Sequence, residues 1–208
     1  MDDEDLQNRH GFVPSARVPV ALATREVAAN LVSRQHDPET LAKAQALLEE
    51  ARDLLGENGT ELPSITAMPE DRAEFADFIE RQMVSGKGNP FAPPSPLLEV
   101  ADGRARGRAN LTAVYQGPPG RVHGGYVSVL LDHIVGSAAA SVLAPPYYTR
   151  MLQVDFLNAV PLNTDLDLNG WVDELDGRKA WMIGTVHAGD QLLARGRALM
   201  VQPKESAR

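Results

Sequence analysis

The sequence predicts an α+β fold in which an antiparallel sheet wraps around one long apolar helix, with further helices in front of it. Apolar residues recur at separations of three and four between Val127 and Ala138, which indicates a helix buried on most sides. From Leu97 onward the hydrophobic period outside that helix is two, which is typical of strands. Two amphipathic stripes, at 41–55 and 75–83, predict helices in the first part of the chain.

The first part of the chain is predicted to be irregular at its start and helical afterwards. Residues 1–22 lack periodicity and include Pro14 and Pro19, so we expect an arm without regular structure. Asp37, followed by proline and glutamate, is typical of a helix start, and the apolar stripe behind it stops at Gly56. Because apolar stripes need a partner, we expect the helices to cover a sheet edge or a substrate tunnel.

Changes of composition along the chain divide it into five predicted segments. These are a flexible acidic arm, a helical extension, a linker rich in glycine and proline, a sheet-and-helix domain and a tail, at 1–22, 23–85, 86–96, 97–203 and 204–208. Within the helical extension we expect a short helix over 24–34 and another over 69–84. In the fourth segment, Asp176-Gly177 and Gly189-Asp190 are hairpin turn signals between strands. Strands before and after one long helix make the α+β arrangement.

Charge and composition exclude several classes of function. Residues 1–90 hold 17 acidic and nine basic residues, whereas residues 91–208 hold 11 of each, so the chain's net charge of −8 belongs to its first part. This balance argues against a nucleic-acid partner. Without cysteine there are no disulfides or thiolate ligands, and the five histidines show no metal-ligand spacing. With an acidic N-terminus and no apolar run long enough for a membrane span, we expect a cytoplasmic protein without metal or other cofactor.

The long helix is expected to begin with two glycines. His123, Gly124 and Gly125 follow a turn-forming cluster at 117–120 and precede the apolar run. Two glycines in a first helical turn forfeit about 1 kcal/mol each of helix propensity relative to alanine. A bare backbone there does let a carbonyl oxygen approach free N–H groups and the positive end of the helix dipole. The turn is therefore a candidate site for polarising a carbonyl group.

An acidic residue lies further along the same helix. Asp132 shares a helix face with Gly125 and Ser128, among small or apolar neighbours. A carboxylate without a partner is costly to bury. Two interpretations stay open: the carboxylate caps a loop or bonds a serine, or it is a functional group.

The motif His123-Gly124-Gly125 with Asp132, and with Gly136 behind it, resembles the signature of PaaI-type acyl-CoA thioesterases. The resemblance runs from about Leu97 to Val201, roughly half of the chain. It implies a hotdog fold, in which the antiparallel sheet wraps around the central helix, behind an N-terminal helical extension. It also implies an enzyme that hydrolyses acyl-CoA to free acid and CoA, as a homodimer or a dimer of dimers.

The resemblance also implies a role for each residue of the motif. The Gly124 N–H is the implied oxyanion donor, and Gly125 allows close packing of the turn. His123 either supports the carbonyl or caps the helix. Asp132 is the implied general base or nucleophile. About two and a half helical turns separate it from the glycine turn, so the family combines the glycine of one subunit with the aspartate of its partner.

Other residues are candidates for orienting water or binding substrate. The family often carries a serine or threonine at the head of the strand after the helix, which corresponds to Thr149, with Ser141 as a weaker candidate. Substrate-binding candidates, on the helix face or at basic positions suited to the CoA phosphates, are Gly125, Ser128, Arg121, Arg178 and Lys179. For the last two the alternative is a solvated hairpin surface.

Two functions stay open on this scaffold, and a third is disfavoured. Acyl-CoA thioester hydrolysis is the first, and binding of acyl-CoA or lipid without hydrolysis is the second. Hydratase chemistry is disfavoured because its Asp-and-His motif is not found. Many relatives carry an asparagine about six residues before the motif histidine, where this chain has Gln116-Gly117. That difference concerns the local water network.

Overall fold

A computed structural model describes residues 15–62, 69, 71–144 and 146–203. In these ranges the helices are α1 (Arg17–Ser33), α2 (Pro38–Glu57), α3 (Arg72–Glu80) and α4 (Gly124–Ala139), and a 3₁₀ turn spans Ala113–Tyr115. The strands are β1 (Leu97–Ala101), β2 (Arg104–Asn110), β3 (Tyr148–Phe156), β4 (Asp165–Asp176), β5 (Lys179–Ala188) and β6 (Gln191–Val201). None of these helices is long and apolar enough to cross a membrane.

The six strands form one antiparallel sheet in the order β1-β2-β4-β5-β6-β3, with α4 packed on one face. The predicted alternation is confirmed on β2, where Ala105, Gly107 and Ala109 are buried and the three arginines that alternate with them are exposed. A sheet wrapped around one long helix, behind N-terminal helices, is the predicted hotdog fold. Strands β1 and β3 are the two edges of the sheet.

Helix α4 lies in a trough of glycines that crosses the sheet. Gly170, Gly184 and Gly196 are directly opposite one another on β4, β5 and β6. A Cβ at Gly170 would lie 2.7 Å from the Ile134 carbonyl oxygen, and one at Gly184 would lie 2.9 Å from the Val135 side chain. A side chain at Gly170 or Gly184 would push the helix outward, so these two glycines set its distance from the sheet, whereas a Cβ at Gly196 would make an ordinary contact with Leu131 at 3.4 Å.

The buried face of α4 is the one that the sequence predicted. Six apolar residues on this face are at most 1% exposed, namely Val127, Leu130, Leu131, Ile134, Val135 and Ala138. Burying a Val, Leu or Ile side chain contributes about 1.5–3 kcal/mol relative to leaving it exposed. Packing against the sheet therefore outweighs the loss of helix propensity at the two glycines of the first turn.

The predicted arm over residues 1–22 is wrong from Arg17 onward, because α1 begins there. Residues 1–14 and the predicted tail at 204–208 lie outside the described ranges. Pro19 does not prevent the helix, since the first N–H groups of a helix have no intrahelical acceptor. The short helix expected over 24–34 is therefore the second half of a longer one.

An aspartate sets the start of each of the next two helices. Helix α2 begins behind Asp37, as predicted, and the Asp37 carboxylate accepts a hydrogen bond from the Thr40 N–H at 2.9 Å. Helix α3 is shorter than the predicted range of 69–84, because Asp71 caps its start and the chain turns back after Glu80. Satisfying free N–H groups in this way stabilises a helix start by about 1 kcal/mol.

The predicted linker at 86–96 is irregular but closely packed. The Arg25 side chain of α1 donates a hydrogen bond to the Asn89 carbonyl at 2.8 Å, and the Tyr115 hydroxyl donates one to the Ala92 carbonyl at 3.2 Å. These bonds attach α1 to the segment that leads into α4. Helix α1 thus packs beside the 3₁₀ turn at Ala113–Tyr115, which precedes the glycine turn in the chain.

Replacing Gly170 by alanine is expected to lower the free energy of unfolding by about 1–3 kcal/mol, because the new methyl group overpacks the backbone of α4. Urea unfolding followed by circular dichroism measures this change. The matched control is Gly56→Ala in α2, where a Cβ meets no atom within 4 Å. Equal midpoints for the two variants would contradict the role assigned to the trough.

Candidate active site

His123 caps the N-terminus of α4. Its Nδ1 accepts a hydrogen bond from the Gly125 N–H at 3.0 Å. A neutral imidazole that accepts at Nδ1 carries its proton on Nε2, and the residue is exposed. The capping interpretation is therefore confirmed, and the second ring nitrogen remains available as a donor.

The Gly124 N–H is a free donor beside an aromatic ring. It has no acceptor within the part of the chain that the structure describes. A Cβ at Gly124 would lie 3.2 Å from the ring of Phe156, so this ring lies directly over the backbone of the turn. As the first residue of the helix, Gly124 also lies at the positive end of the helix dipole. An apolar wall and an unpaired donor therefore meet at this turn.

Asp132 is half-buried and has no hydrogen bond or ion pair to any described residue. Neither a loop cap nor a bond to a serine is present among these residues, so the first interpretation of this carboxylate is not supported. The Ser128 hydroxyl instead donates to the Gly124 carbonyl at 3.0 Å. Eight residues of helix place Asp132 about 12 Å from Gly124 along the axis. One copy of the chain cannot bring both groups to one carbonyl.

His133 follows Asp132 on the helix and is largely buried. Its Nε2 has no hydrogen-bond partner in the described ranges. Burial lowers the pKa of the His133 imidazole, and the Asp132 carboxylate opposes part of this effect. The imidazole is therefore held in its neutral form.

Thr149 is exposed near the start of the edge strand β3, where the pairing with β6 is irregular. Its hydroxyl donates a weak hydrogen bond to the Met200 sulfur at 3.4 Å. Ser141, the weaker candidate, donates to the Ala138 carbonyl and accepts from the Gly103 N–H, both at 2.8 Å. Its bonds stabilise the end of α4, so of these two hydroxyls only Thr149 stays a candidate for orienting water.

The basic candidates lie at two ends of the domain. Arg121 is exposed in the loop that enters α4. Arg178 and Lys179 lie at the β4–β5 hairpin, in the row of Tyr148, which is the end of β3 away from the glycine turn. The Arg178 guanidinium donates to the Gln202 carbonyl at 2.7 Å. The structure thus does not bring the hairpin pair to Gly124 of the same chain.

Sequence reasoning missed Tyr115 and Phe156 at the glycine turn. Tyr115 is 2% exposed, its ring meets Tyr126 edge-to-face with centroids 4.8 Å apart, and its carbonyl accepts the His123 N–H. Burial raises the pKa of the Tyr115 hydroxyl. Strand alternation placed Phe156 on β3, but no local signal indicated that its ring would cover Gly124.

A sheet wrapped around a helix that begins with a bare glycine turn and carries an unpaired acid defines the class as hotdog-fold proteins of the thioesterase type. A family model described as the thioesterase superfamily matches residues 119–199. A solved crystal structure of a thioesterase superfamily protein is 30% identical, with a TM-score of 0.79, over 91% of this chain and 92% of that chain. The chain therefore belongs to the thioesterase superfamily.

Two curated relatives carry more specific names. Acyl-coenzyme A thioesterase THEM4 of Xenopus laevis is 30% identical over 83 residues, which cover 40% of this chain and 37% of the relative. Acyl-coenzyme A thioesterase THEM5 of Homo sapiens is 25% identical over 136 residues, which cover 64% of this chain and 52% of the relative. The chain spans about a third to a half of the length of the curated relatives it matches.

Replacing His123 by alanine is expected to cost about 1 kcal/mol of stability, because the Gly125 N–H loses its acceptor. His123→Asn should recover most of this loss, since an asparagine side chain also caps a helix. Urea unfolding of the three proteins measures both effects. Identical losses for the two variants would show that the cap contributes nothing.

The buried imidazole of His133 predicts a pH-dependent stability. In the unfolded chain the group binds a proton near its ordinary pKa of about 6.5, whereas the folded protein resists protonation to lower pH. Stability is therefore expected to fall as the pH drops below about 6.5. His133→Phe should flatten the unfolding free energy between pH 7.5 and about 5.5, and the control His36→Gln should not. Parallel curves for wild type and His133→Phe would refute this assignment.

Proposed function

We propose that the protein hydrolyses acyl-CoA thioesters to free acid and CoA, at active sites formed between two copies of the chain. One observation carries the proposal: α4 bears both the Gly124 N–H and the Asp132 carboxylate, and neither group has a partner among the described residues. Unpaired polar groups of this kind are costly unless a ligand or partner uses them. Membership of the thioesterase superfamily and the names of the curated relatives support the same reaction.

The reaction follows from these two groups. The thioester carbonyl oxygen accepts the Gly124 N–H, which stabilises negative charge on that oxygen. Asp132 takes a proton from water while the water oxygen attacks the carbonyl carbon. The tetrahedral intermediate then collapses, the carbon–sulfur bond breaks, and the CoA thiolate leaves and is protonated by Asp132. Acid and thiol are the products, and the carboxylate is regenerated.

The 12 Å between Gly124 and Asp132 is the reason for a shared site. If two α4 helices run antiparallel about a twofold axis, the glycine turn of one faces the aspartate of the other, and two identical sites form. The edge strand β3 has unpaired backbone groups and exposed apolar side chains at Tyr148, Met151 and Phe156. Such an edge is suited to pairing with a second copy.

Other residues then take supporting roles in this proposal. The His123 Nε2–H donates a hydrogen bond to the bound carbonyl oxygen or to the loop beside it. The Phe156 ring forms a wall of the acyl site. Thr149 orients the water. Because antiparallel helices place the β4–β5 hairpin of one copy near the glycine turn of the other, Lys179 and Arg178 of one copy join Arg121 of the other around the CoA phosphates.

Subunit complementation tests both the reaction and the shared site. Asp132→Asn should lower kcat at least about 100-fold, by loss of the general base. Gly124→Pro removes the N–H and adds a pyrrolidine ring, and proline is tolerated at the first position of a helix after an extended residue such as His123. This variant should lower kcat by about 10²–10³. Co-expressing the two variants in equal amounts should restore about a quarter of wild-type activity. About half of the dimers are then mixed, and each mixed dimer has one intact site out of two.

The matched control is Gly124→Ala, which adds the same Cβ near Phe156 but keeps the N–H. It should retain far more activity than Gly124→Pro. Full activity of Asp132→Asn would overturn the proposed reaction. Inactive parents without recovery on co-expression would overturn the shared site while leaving the reaction in place.

Binding of acyl-CoA without hydrolysis is a second candidate function, favoured by one observation. Gly117, six residues before His123, lies at the position that carries asparagine in many relatives. A Cβ at Gly117 would lie 2.8 Å from the His123 Cα, so an asparagine side chain has no room there. A panel of short, medium, long and aryl acyl-CoAs with detection of the free thiol separates the two functions. Tight binding without thiol release over the whole panel would favour the second.

A further inference from the structure

Helix α2 has an apolar stripe that nothing in the described chain covers. None of its 20 residues is buried. Leu47 and Leu54, at 67% and 63% exposed, widen a stripe whose other members are spaced alternately by three and four. Those members are Leu41, Ala44, Leu48, Ala51 and Leu55. A single helix of this length is marginal in water, so the stripe needs a surface to pack on.

No described helix packs on the face of the sheet opposite α4, which is rich in arginine; we refer to it as the arginine face. It consists of two adjacent rows across β2, β4, β5 and β6 that carry four arginines and no acid: Arg104-Trp171-Ile183-Arg197 and Arg106-Asn169-Thr185-Arg195. All four arginines are exposed. Glu99 and Asp155, on the edge strands, border the second row. Apolar Trp171 and Ile183 lie between cations.

A recess in the sheet surface adjoins the second row. Its volume is about 480 Å³, and its lining includes Arg106, Arg108, Asp167 and His187. The Nδ1 of His187 is buried and has no hydrogen-bond partner in the described ranges. Arg108 makes only a long contact, 3.6 Å, with Asp167. The recess has room for side chains of another chain and offers them polar partners.

We propose that α2 of one copy packs on the arginine face of a second copy. Residues 38–57 carry five acidic and two basic residues, so the helix is anionic where the sheet face is cationic. Glu50 is the acid nearest the stripe, about 60° around the helix from Leu47, and its side chain extends toward the arginines when the leucines lie on Trp171. Since nothing in the described ranges covers α2, the pairing proposed to cover both surfaces is between copies.

Charge distinguishes this pairing from its alternatives. Packing two α2 helices together would bring two net negative segments into contact, and packing two arginine faces would bring eight guanidinium groups together. Like charges in apposition cost free energy, whereas opposite charges at the border of an apolar contact favour it. The helix-on-sheet arrangement is the one that avoids both repulsions.

The size of the two surfaces is sufficient for a stable contact. Helix α2 is about 30 Å long, and four strands span about 15 Å between the outer two axes. One helix on one sheet buries on the order of several hundred Å² per copy. When each copy packs its α2 on the sheet of the other about a twofold axis, the buried area doubles and the assembly closes as a dimer. The buried area then comes near the roughly 1,200–2,000 Å² of stable complexes. The contact is separate from the proposed active site.

Cysteine cross-linking tests this contact, because the chain has no cysteine of its own. Leu48→Cys on the stripe and Arg195→Cys on the arginine face are introduced in two differently tagged chains, which are co-expressed and oxidised. A disulfide between the two tags is expected. The control pairs Arg195→Cys with Ala46→Cys, on the opposite side of α2 from the stripe, and should yield at least tenfold less.

Three outcomes would overturn the proposal. They are equal yields for Leu48→Cys and Ala46→Cys, the absence of any mixed disulfide, and a faster disulfide between two Leu48→Cys chains than between the two tags. The last would show that α2 packs on α2. Circular dichroism of each variant verifies that the chains are folded, and the readout does not depend on thioesterase activity.

A charge exchange tests the role of the arginines. Arg104→Glu and Arg106→Glu in the Arg195→Cys chain should lower the cross-linking yield at least fivefold. Adding Glu50→Arg to the Leu48→Cys chain should restore part of it. No loss, or a loss without restoration, would show that these charges do not face each other.

Discussion

The close approach of α4 to the sheet is the constraint on which the rest of the structure depends. Gly170 and Gly184 leave no room for a side chain between their backbone and α4, so the helix is held by contacts that a methyl group at either position would disrupt. The six apolar residues of its buried face are thereby removed from water. What remains accessible is a narrow strip of small and polar residues, and the proposed chemistry lies on that strip.

Within the strip, the helix acts as a rigid spacer between two unpaired groups. The Gly124 N–H has no acceptor and the Asp132 carboxylate has no partner among the described residues, and about 12 Å of helix keeps them apart. The Phe156 ring lies over the glycine turn, where a Cβ at Gly124 would be 3.2 Å from it, so a methyl group there requires the ring to shift by a few tenths of an ångström. The same rigidity that separates the groups in one copy makes a twofold pairing of helices sufficient to bring them together.

The helical extension differs from the hotdog domain in how it is held. Helix α1 is held by polar contacts, namely the Arg25 bond to Asn89 in the segment before β1 and the Arg17 ion pair with Asp77 of α3 at 2.8 Å. None of the residues of helix α2 is buried by the described part of the chain. The acidic residues that give the chain its net charge lie mainly in this extension, while the sheet presents arginines on its outer face. This separation of charge is the basis of the proposed contact between copies.

The sequence by itself determined the elements whose cause is local: the period of α4, the alternation of the strands, the Asp37 cap and the glycine turn. These signals act over at most a few residues, through side-chain direction and hydrogen bonds to the nearest N–H groups. Local reasoning failed at Pro19, where a helix start tolerates proline, and at the length of α3. Only the tertiary structure decided that Phe156 covers Gly124, that Tyr115 supports His123, and that Arg178 lies at the far end of the sheet. Such contacts join residues distant along the chain, and they depend on strand register and on how closely the helix packs, neither of which a short stretch of sequence encodes.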